Sequence, residues 1–272
     1  MRPLVNNAGA DTQESGLPGA ERALPYARIL RALEVRGAPL PQGWALAMDR
    51  RSLGVARRLS ALLADLRLAA FVDPGEGTAA VAILGTRVNL RGVFAVLRRR
   101  LFGGSSRLAI AFVDLVRAEL PGHALTVVGH SSGGGIASHV GAVLGLPSIT
   151  FNGARTRAAL LNDGSRQLNV IVRGDFWGDP GILPGRLAGE TMWLDAEGTR
   201  RPDRHSLPAI VLALERMVAA GGRTSGGHEE GRDLDRSAGR PDSHPFVLPG
   251  PVVGRTGVVH RFVSGEQAGA AS

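Results

Sequence analysis

Ala124 to Leu144 reads ALTVVGHSSGGGIASHVGAVL, and the fold turns on how this stretch divides. Ala124 to Val128 is a short apolar run of the length of a buried strand. From about Gly133 to Leu144 the residues suit a Gly-rich helix. Between them, Gly129-His130-Ser131-Ser132-Gly133 fits the pattern G-x-S-x-G. Glycine is abundant here, so the bare pattern is cheap; its place between a strand and a helix supplies the mechanism. A serine at that junction sits on a sharp, strained turn, and the residues two positions to either side must be small. The hydroxyl then projects from the carboxyl edge of a sheet. The helix that follows aims its N-terminal dipole and free N–H groups at an oxyanion forming beside the serine.

Working outward, Thr78 to Leu84 is a strand-like run ending at Gly85, and Ser106 to Leu120 is an amphipathic helix with Leu108, Phe112, Leu115 and Val116 on one side. Pro121-Gly122 stops it. Downstream, Pro147 to Phe151 and Leu168 to Val172 are strands, and Thr191 to Leu194 is a weaker one. Ser206 to Ala219 is a helix with Ile210, Val211, Leu214 and Met217 inward. Glu21 to Arg36 and Arg50 to Ala70 also carry apolar residues at helical spacing, among them Val55, Leu59, Leu62, Leu63 and Leu66. Strands alternating with helices predict an α/β protein, with a mostly parallel central sheet and helices on both faces. Residues 1–18 read as disordered, 19–220 as the folded domain, and 221–272 as a flexible tail. Gly221 to Arg240 is nearly devoid of apolar residues, and Val247 to Val263 mixes apolar residues with Pro and Gly and carries no assignable element.

The 272 residues suffice for one domain with a substantial core, and 44% of them are hydrophobic. There is no cysteine, which excludes disulfides, thiolate metal sites and a cysteine nucleophile. The formal charge is +8 and the basic side chains are all arginine. Such a charge attracts anionic surfaces, whether nucleic acid or acidic lipid. The arginines are spread along the whole chain, however, which is also what an arginine-favouring coding bias produces. Aromatics at 4% are too few for a base-stacking surface, so no nucleic acid partner is expected. Met1 to Ala20 lacks the apolar stretch of a signal peptide, and no run reaches the roughly 18 apolar residues of a membrane span. The expected location is cytoplasmic, or outside the cell by a route without a recognisable signal peptide.

Leu125 to Ser138, LTVVGHSSGGGIAS, resembles the G-H-S-L-G-G segment of class 3 lipases, the fungal-type triacylglycerol lipase family. Leu146 to Asn152, LPSITFN, resembles that family's strand after the elbow helix, and Val81 to Thr86, VAILGT, its strand ending in R-G-T or R-G-S. The resemblance covers about Phe71 to Met217 and is strongest at the elbow. It implies an α/β-hydrolase fold and a Ser-Asp-His triad, with no cofactor and no metal. Two positions depart from the pattern: Leu84 stands where the family has arginine, and Ser132 where it usually has leucine.

A serine hydroxyl needs a base, and the base needs an orienting acid. In α/β hydrolases these follow the nucleophile in the order acid, then histidine. Of seven histidines, His130 lies inside the elbow, His123 precedes Ser131, and His139 is on the elbow helix. His228, His244 and His260 fall in the tail. His205 remains, just before an apolar helix, and RHSLPAIVLAL resembles the family's histidine loop and final helix. The acid should end a strand between Ser131 and His205. Asp175 follows LNVIVRG, and VRGD resembles the family's acid loop. Asp179 is its rival, with Asp163 and Asp195 behind.

For the oxyanion hole, Ser132 follows the nucleophile and Thr86 matches the family's R-G-[ST] position. In the family the segment after the oxyanion strand forms a lid. Here that is Val88 to Gly104, with Val93, Phe94, Val96, Leu97, Leu101 and Phe102 around Arg98, Arg99 and Arg100. Apolar residues beside a basic cluster suit an acidic lipid interface, although an ordinary surface helix has the same look. The expected activity is cleavage of a carboxylic ester, of a lipid or a small molecule, with an anionic membrane surface as a partner. The competing class is a catalytically silent basic protein that binds membrane or nucleic acid.

Overall fold

The computed structural model describes residues 17–55, 57, 66–85, 104–154, 166–179 and 187–224. In chain order these form α1 (Leu17–Glu34), β1 (Ala45–Asp49), β2 (Arg67–Asp73), β3 (Thr78–Leu84), α2 (Gly104–Glu119), β4 (Ala124–His130), α3 (Ser132–Leu144), β5 (Ser148–Phe151), β6 (Gln167–Val172), β7 (Glu190–Leu194) and α4 (Leu207–Thr224). Short 3₁₀ turns occur at Arg50–Ser52 and Arg201–His205.

Apolar runs without helical spacing become the sheet. All residues of β5 and β6 are buried, as parallel strands covered on both faces require. The seven strands lie in chain order, β1 to β7. The pairs β1–β2 and β2–β3 are antiparallel, and every pair from β3 to β7 is parallel. Register aligns Leu84 with His130, His130 with Phe151, and Phe151 with Val170. The carboxyl ends of the parallel strands thus come level at one edge.

Alternate residues supply two cores. Phe71, Leu84, Phe151, Val170 and Leu194 pack under α1 and α4 with Leu30, Ile210 and Leu214. Val81, Ile83 and Val127 pack under α2 and α3 with Phe112, Val116, Ile136 and Val140. A large side chain buried in either layer contributes about 1.5–3 kcal/mol. The mostly parallel sheet with helices on both faces is therefore present. Across one layer Arg28 meets Glu215 at 2.8 Å and Arg22 meets Glu190 at 3.0 Å. Both pairs are partly exposed and worth only about 0–1 kcal/mol each.

The helix expected over Arg50 to Ala70 is met only in part. Arg50–Ser52 is a 3₁₀ turn, Val55 (75% exposed) and Arg57 are helical, and Arg67–Asp73 is strand β2. Leu59, Leu62 and Leu63 lie outside the described residues. In β2, Phe71 enters one core while Leu68 and Ala70 enter the other. A ladder to β3 along its whole length, and one to β1 over Ala69 to Val72 with a register shift, override the helical preference of its Leu and Ala residues. Two boundaries also differ from the sequence reading. Helix α1 starts at Leu17, within the stretch read as disordered, and α4 runs to Thr224, past residue 220. No helix among the described residues is long and apolar enough to cross a membrane.

Candidate active site

At the carboxyl end of β4 the chain turns through Ser131 into α3. Ser131 has φ 57° and ψ −128°, a conformation that a side-chain-bearing residue rarely adopts. Its backbone is tied down on both sides. The Ser131 N–H donates to the carbonyl of Phe151 at 3.1 Å, and the Ser131 carbonyl accepts from the N–H groups of Gly134, Gly135 and Ala154. The flanking glycines have a steric cause. A Cβ on Gly129 would strike the backbone of Gly133 and Gly134, and one on Gly133 would strike the Ile83 carbonyl and the Gly85 nitrogen. The motif is thus a condition of close contact between β3, β4 and α3.

The three residues expected to cooperate are brought together. His205 Nε2 lies 2.8 Å from Ser131 Oγ, and His205 Nδ1 lies 2.8 Å from Asp175 Oδ2. Asp175 follows β6 and is 1% exposed. Its other oxygen, Oδ1, accepts the N–H groups of Trp177 and Gly178. A carboxylate held this way stays in place behind the imidazole and fixes a tautomer with the proton on Nδ1, which leaves Nε2 free to take the serine proton. Asp179 has a different task. Its Oδ2 accepts the Gly174 N–H at 2.7 Å, closing the turn that presents Asp175. Asp195 pairs with Arg173 at 3.1 Å on the surface. Asp163 lies outside the described residues.

His130 and Asn152 were not picked out as site residues. The His130 ring is buried with its centroid 4.9 Å from that of His205, and its Nε2 is 2.7 Å from the His205 carbonyl oxygen. Burial, and then the neighbouring His205, push its pKa from 6.5 down to about 3. Neutral His130 therefore donates Nε2–H to that carbonyl. Asn152 is wholly buried with φ 43°. Its amide nitrogen donates to the Arg204 carbonyl at 3.0 Å, and its oxygen accepts the Val172 N–H at 2.9 Å. Asparagine tolerates positive φ better than most residues, which was the available sequence signal.

Ser132 opens α3, so its N–H is among the helix-terminal donors that have no partner within the helix. Its hydroxyl is buried and unpartnered, against Gly85. Thr86 lies outside the described residues. So do Val93, Phe94, Leu97, Arg98, Arg99, Arg100 and Leu101, together with His228, His244 and His260. His123 precedes β4 and His139 sits on α3; the Ser131 hydroxyl is bonded to His205 and to neither of them.

No protein-family model matches the chain, and no curated protein matches it. Solved structures do. Lip2 lipase from Yarrowia lipolytica is similar at 15% identity over 71% of this chain and 85% of that one, with a TM-score of 0.47. A lipase from Rhizopus microsporus var. chinensis is similar at 14% identity over 71% and 82%, with a TM-score of 0.48. An α/β serine hydrolase without a lid from Xanthomonas campestris is similar at 15% identity over 67% and 96%, with a TM-score of 0.40. The chain's own parallel sheet, its strained serine turn between β4 and α3, and an acid and a histidine following in chain order make this an α/β-hydrolase fold.

Proposed function

We propose that the protein is a serine hydrolase that cleaves carboxylic esters through an acyl-enzyme. The observation that carries this is the unbroken relay from Ser131 to His205 to Asp175 on a strained turn. Ser131 Oγ attacks the ester carbonyl carbon as its proton passes to His205 Nε2. The oxyanion is met by the Ser132 N–H, with Thr86 as the second donor. Collapse breaks the ester bond, and His205 hands its proton to the departing alcohol. A water then attacks the acyl-serine, gives its proton to His205, and releases the carboxylic acid as Ser131 recovers its own. Asp175, already desolvated and hydrogen-bonded, stabilises the imidazolium formed at each step. A silent basic protein has no need of a serine held in strained backbone against such a pair.

The substrate class we propose is a lipid ester. Its support is the apolar and basic sequence from Val93 to Leu101, with Arg98, Arg99 and Arg100 suited to anionic lipid, and Phe176, which is 58% exposed next to Asp175. The test is labelling by a fluorophosphonate together with turnover of a short soluble ester. Ser131→Ala should abolish both while the fold is retained; labelling that moves to another serine refutes the assignment. Anionic vesicles should raise turnover of a long-chain ester, less so at high salt and less so after glutamine replaces the three arginines. Equal rates with and without vesicles would leave a soluble esterase.

A further inference from the structure

We infer that His130 is a positioning residue of this site: its imidazole N–H and the Asn152 side-chain amide clamp two successive carbonyls of the loop that carries His205. The inference rests on reading Ser131 and His205 as nucleophile and base.

Apart from the His205 ring, the loop's own side chains reach outward through Arg204, whose Nη1 donates to the Arg173 carbonyl at 3.1 Å. Arg201–His205 is a 3₁₀ turn whose backbone bonds are local, from Asp203 N–H to the Arg200 carbonyl and from Ser206 N–H to the Asp203 carbonyl. No sheet ladder reaches it, and α4 begins only at Leu207. Two bonds come from outside to neighbouring carbonyls. Asn152 holds that of Arg204 at 3.0 Å and His130 holds that of His205 at 2.7 Å. His130 ends β4, one residue before Ser131. Asn152 follows β5, and its oxygen is anchored by Val172 at the end of β6. The clamp therefore references the backbone of His205 to the strand that presents Ser131 and the strand that precedes Asp175. An imidazole held to its acid at Nδ1 can still tilt; pinning its own carbonyl removes that freedom and aims Nε2 at Ser131 Oγ.

The donor also has a suitable charge. The ionisable groups acting on His130 are His205, Asp175 and Arg67, of which His205 and Arg67 disfavour its protonation and Asp175 favours it. Burial is the largest cause and acts in the same direction as His205 and Arg67. It outweighs Asp175 and the bond to the His205 carbonyl, which favour the charged form, so His130 remains neutral while His205 cycles. When His205 takes up the serine proton, the ring 4.9 Å away adds no second positive charge.

The test uses the full chain as wild type, His130→Phe and His130→Gln. Phenylalanine fills the space without a donor, whereas glutamine restores one. A misaimed base typically costs up to about 100-fold, so His130→Phe should lower kcat on a short soluble ester by about 10- to 100-fold at nearly unchanged KM. His130→Gln should recover most of the loss. The low-field proton resonance of the His205–Asp175 hydrogen bond should broaden in the Phe variant and return in the Gln variant. A Phe variant within about twofold of wild type overturns the clamp, as does a Gln variant equally impaired. If the Phe variant does not fold, the imidazole ¹⁵N shifts of the wild type decide: a neutral His130 with its proton on Nε2 supports the clamp, and a proton on Nδ1 overturns it. A wild type that takes no fluorophosphonate removes the hydrolase reading itself; a labelled wild type with an unaffected Phe variant removes the clamp alone.

Discussion

Asp175→Asn replaces one oxygen of a buried carboxylate by NH₂, and the surroundings dictate which one. Oδ1 accepts two backbone N–H groups, from Trp177 and Gly178, while Oδ2 faces His205 Nδ1 at 2.8 Å. Turning the new NH₂ toward the backbone would set donor against donor twice, in a site that is 1% exposed. Hydrogen bonds to a charged group are worth about 1.5–3 kcal/mol each, so that orientation forfeits roughly 3–6 kcal/mol. The amide oxygen therefore stays with the backbone, and NH₂ faces His205. The imidazole must then accept at Nδ1 and carry its proton on Nε2, pointing at Ser131. In that tautomer it cannot take the serine proton. The same exchange in a serine protease triad lowers kcat by about 10⁴, equivalent to about 5.4 kcal/mol of barrier. The assay is ester turnover per labelled site, with thermal unfolding as a control for fold. Asp179→Asn is the companion, because its amide oxygen can still accept the Gly174 N–H; it should lose less than about tenfold. A folded Asp175→Asn chain that keeps a tenth of its turnover, or an Asp179→Asn chain that suffers as much, refutes the reasoning.

Ser131→Gly should abolish labelling yet raise the free energy of unfolding by about 1 kcal/mol, since relief of backbone strain of about 1–3 kcal/mol exceeds the added chain entropy; denaturant unfolding that shows a loss would deny the strain. Gly133→Ala should cost about 1–3 kcal/mol or more by the same measurement, because its methyl meets the Ile83 carbonyl and the Gly85 nitrogen, neither of which can swing aside. His130 has a folded pKa of about 3 against 6.5 when unfolded, so between those values the unfolded chain binds a proton that the native chain refuses. Its contribution is present above pH 6.5 and lost as pH falls toward 3, with a slope of at most about 1.4 kcal/mol per pH unit. The folded His130→Gln chain should show a flatter acid limb than wild type in that window, and identical limbs would contradict the burial of a neutral imidazole. Removing residues 225–272, immediately beyond α4, should leave labelling and soluble ester turnover largely intact; failure of the shortened chain to fold would show that the tail packs on the domain.

The elements around the site were readable because each carries an undivided signal. Runs such as Val127-Val128 and Val170-Ile171-Val172 have no helical period, and Pro121-Gly122 separates α2 from β4. Strands β1 and β2 were not readable. Ala45–Asp49 is an edge strand with its first three residues exposed, so it shows no apolar alternation. In Arg67–Asp73 the leucines continue the helical spacing of the residues before them, and only pairing with β1 and β3 decides the outcome. At the site, Ser131, Asp175 and His205 announce themselves through order and side-chain chemistry. The parts played by His130 and Asn152 run through carbonyls of Arg204 and His205, and a main-chain acceptor leaves no trace in residue identity. His130 sits inside the elbow motif, and its contact with the His205 carbonyl has no counterpart in that motif.

The strands lie side by side in the order in which they occur in the chain. During synthesis each new strand therefore finds its neighbour already waiting, and none has to be threaded between two that have paired. Ser131 leaves the ribosome 74 residues ahead of His205, which at about 5–20 residues per second is an interval of roughly 4–15 s. Through that interval the growing polypeptide holds a nucleophile with nothing to activate it. Ribosome-bound chains arrested short of residue 201 should ignore a fluorophosphonate that released chains accept, and labelling of the arrested chains would show a second base at work. Hydrolytic competence is thereby deferred until the chain has passed its last sheet strand, so the unfinished protein cannot act on the esters around it.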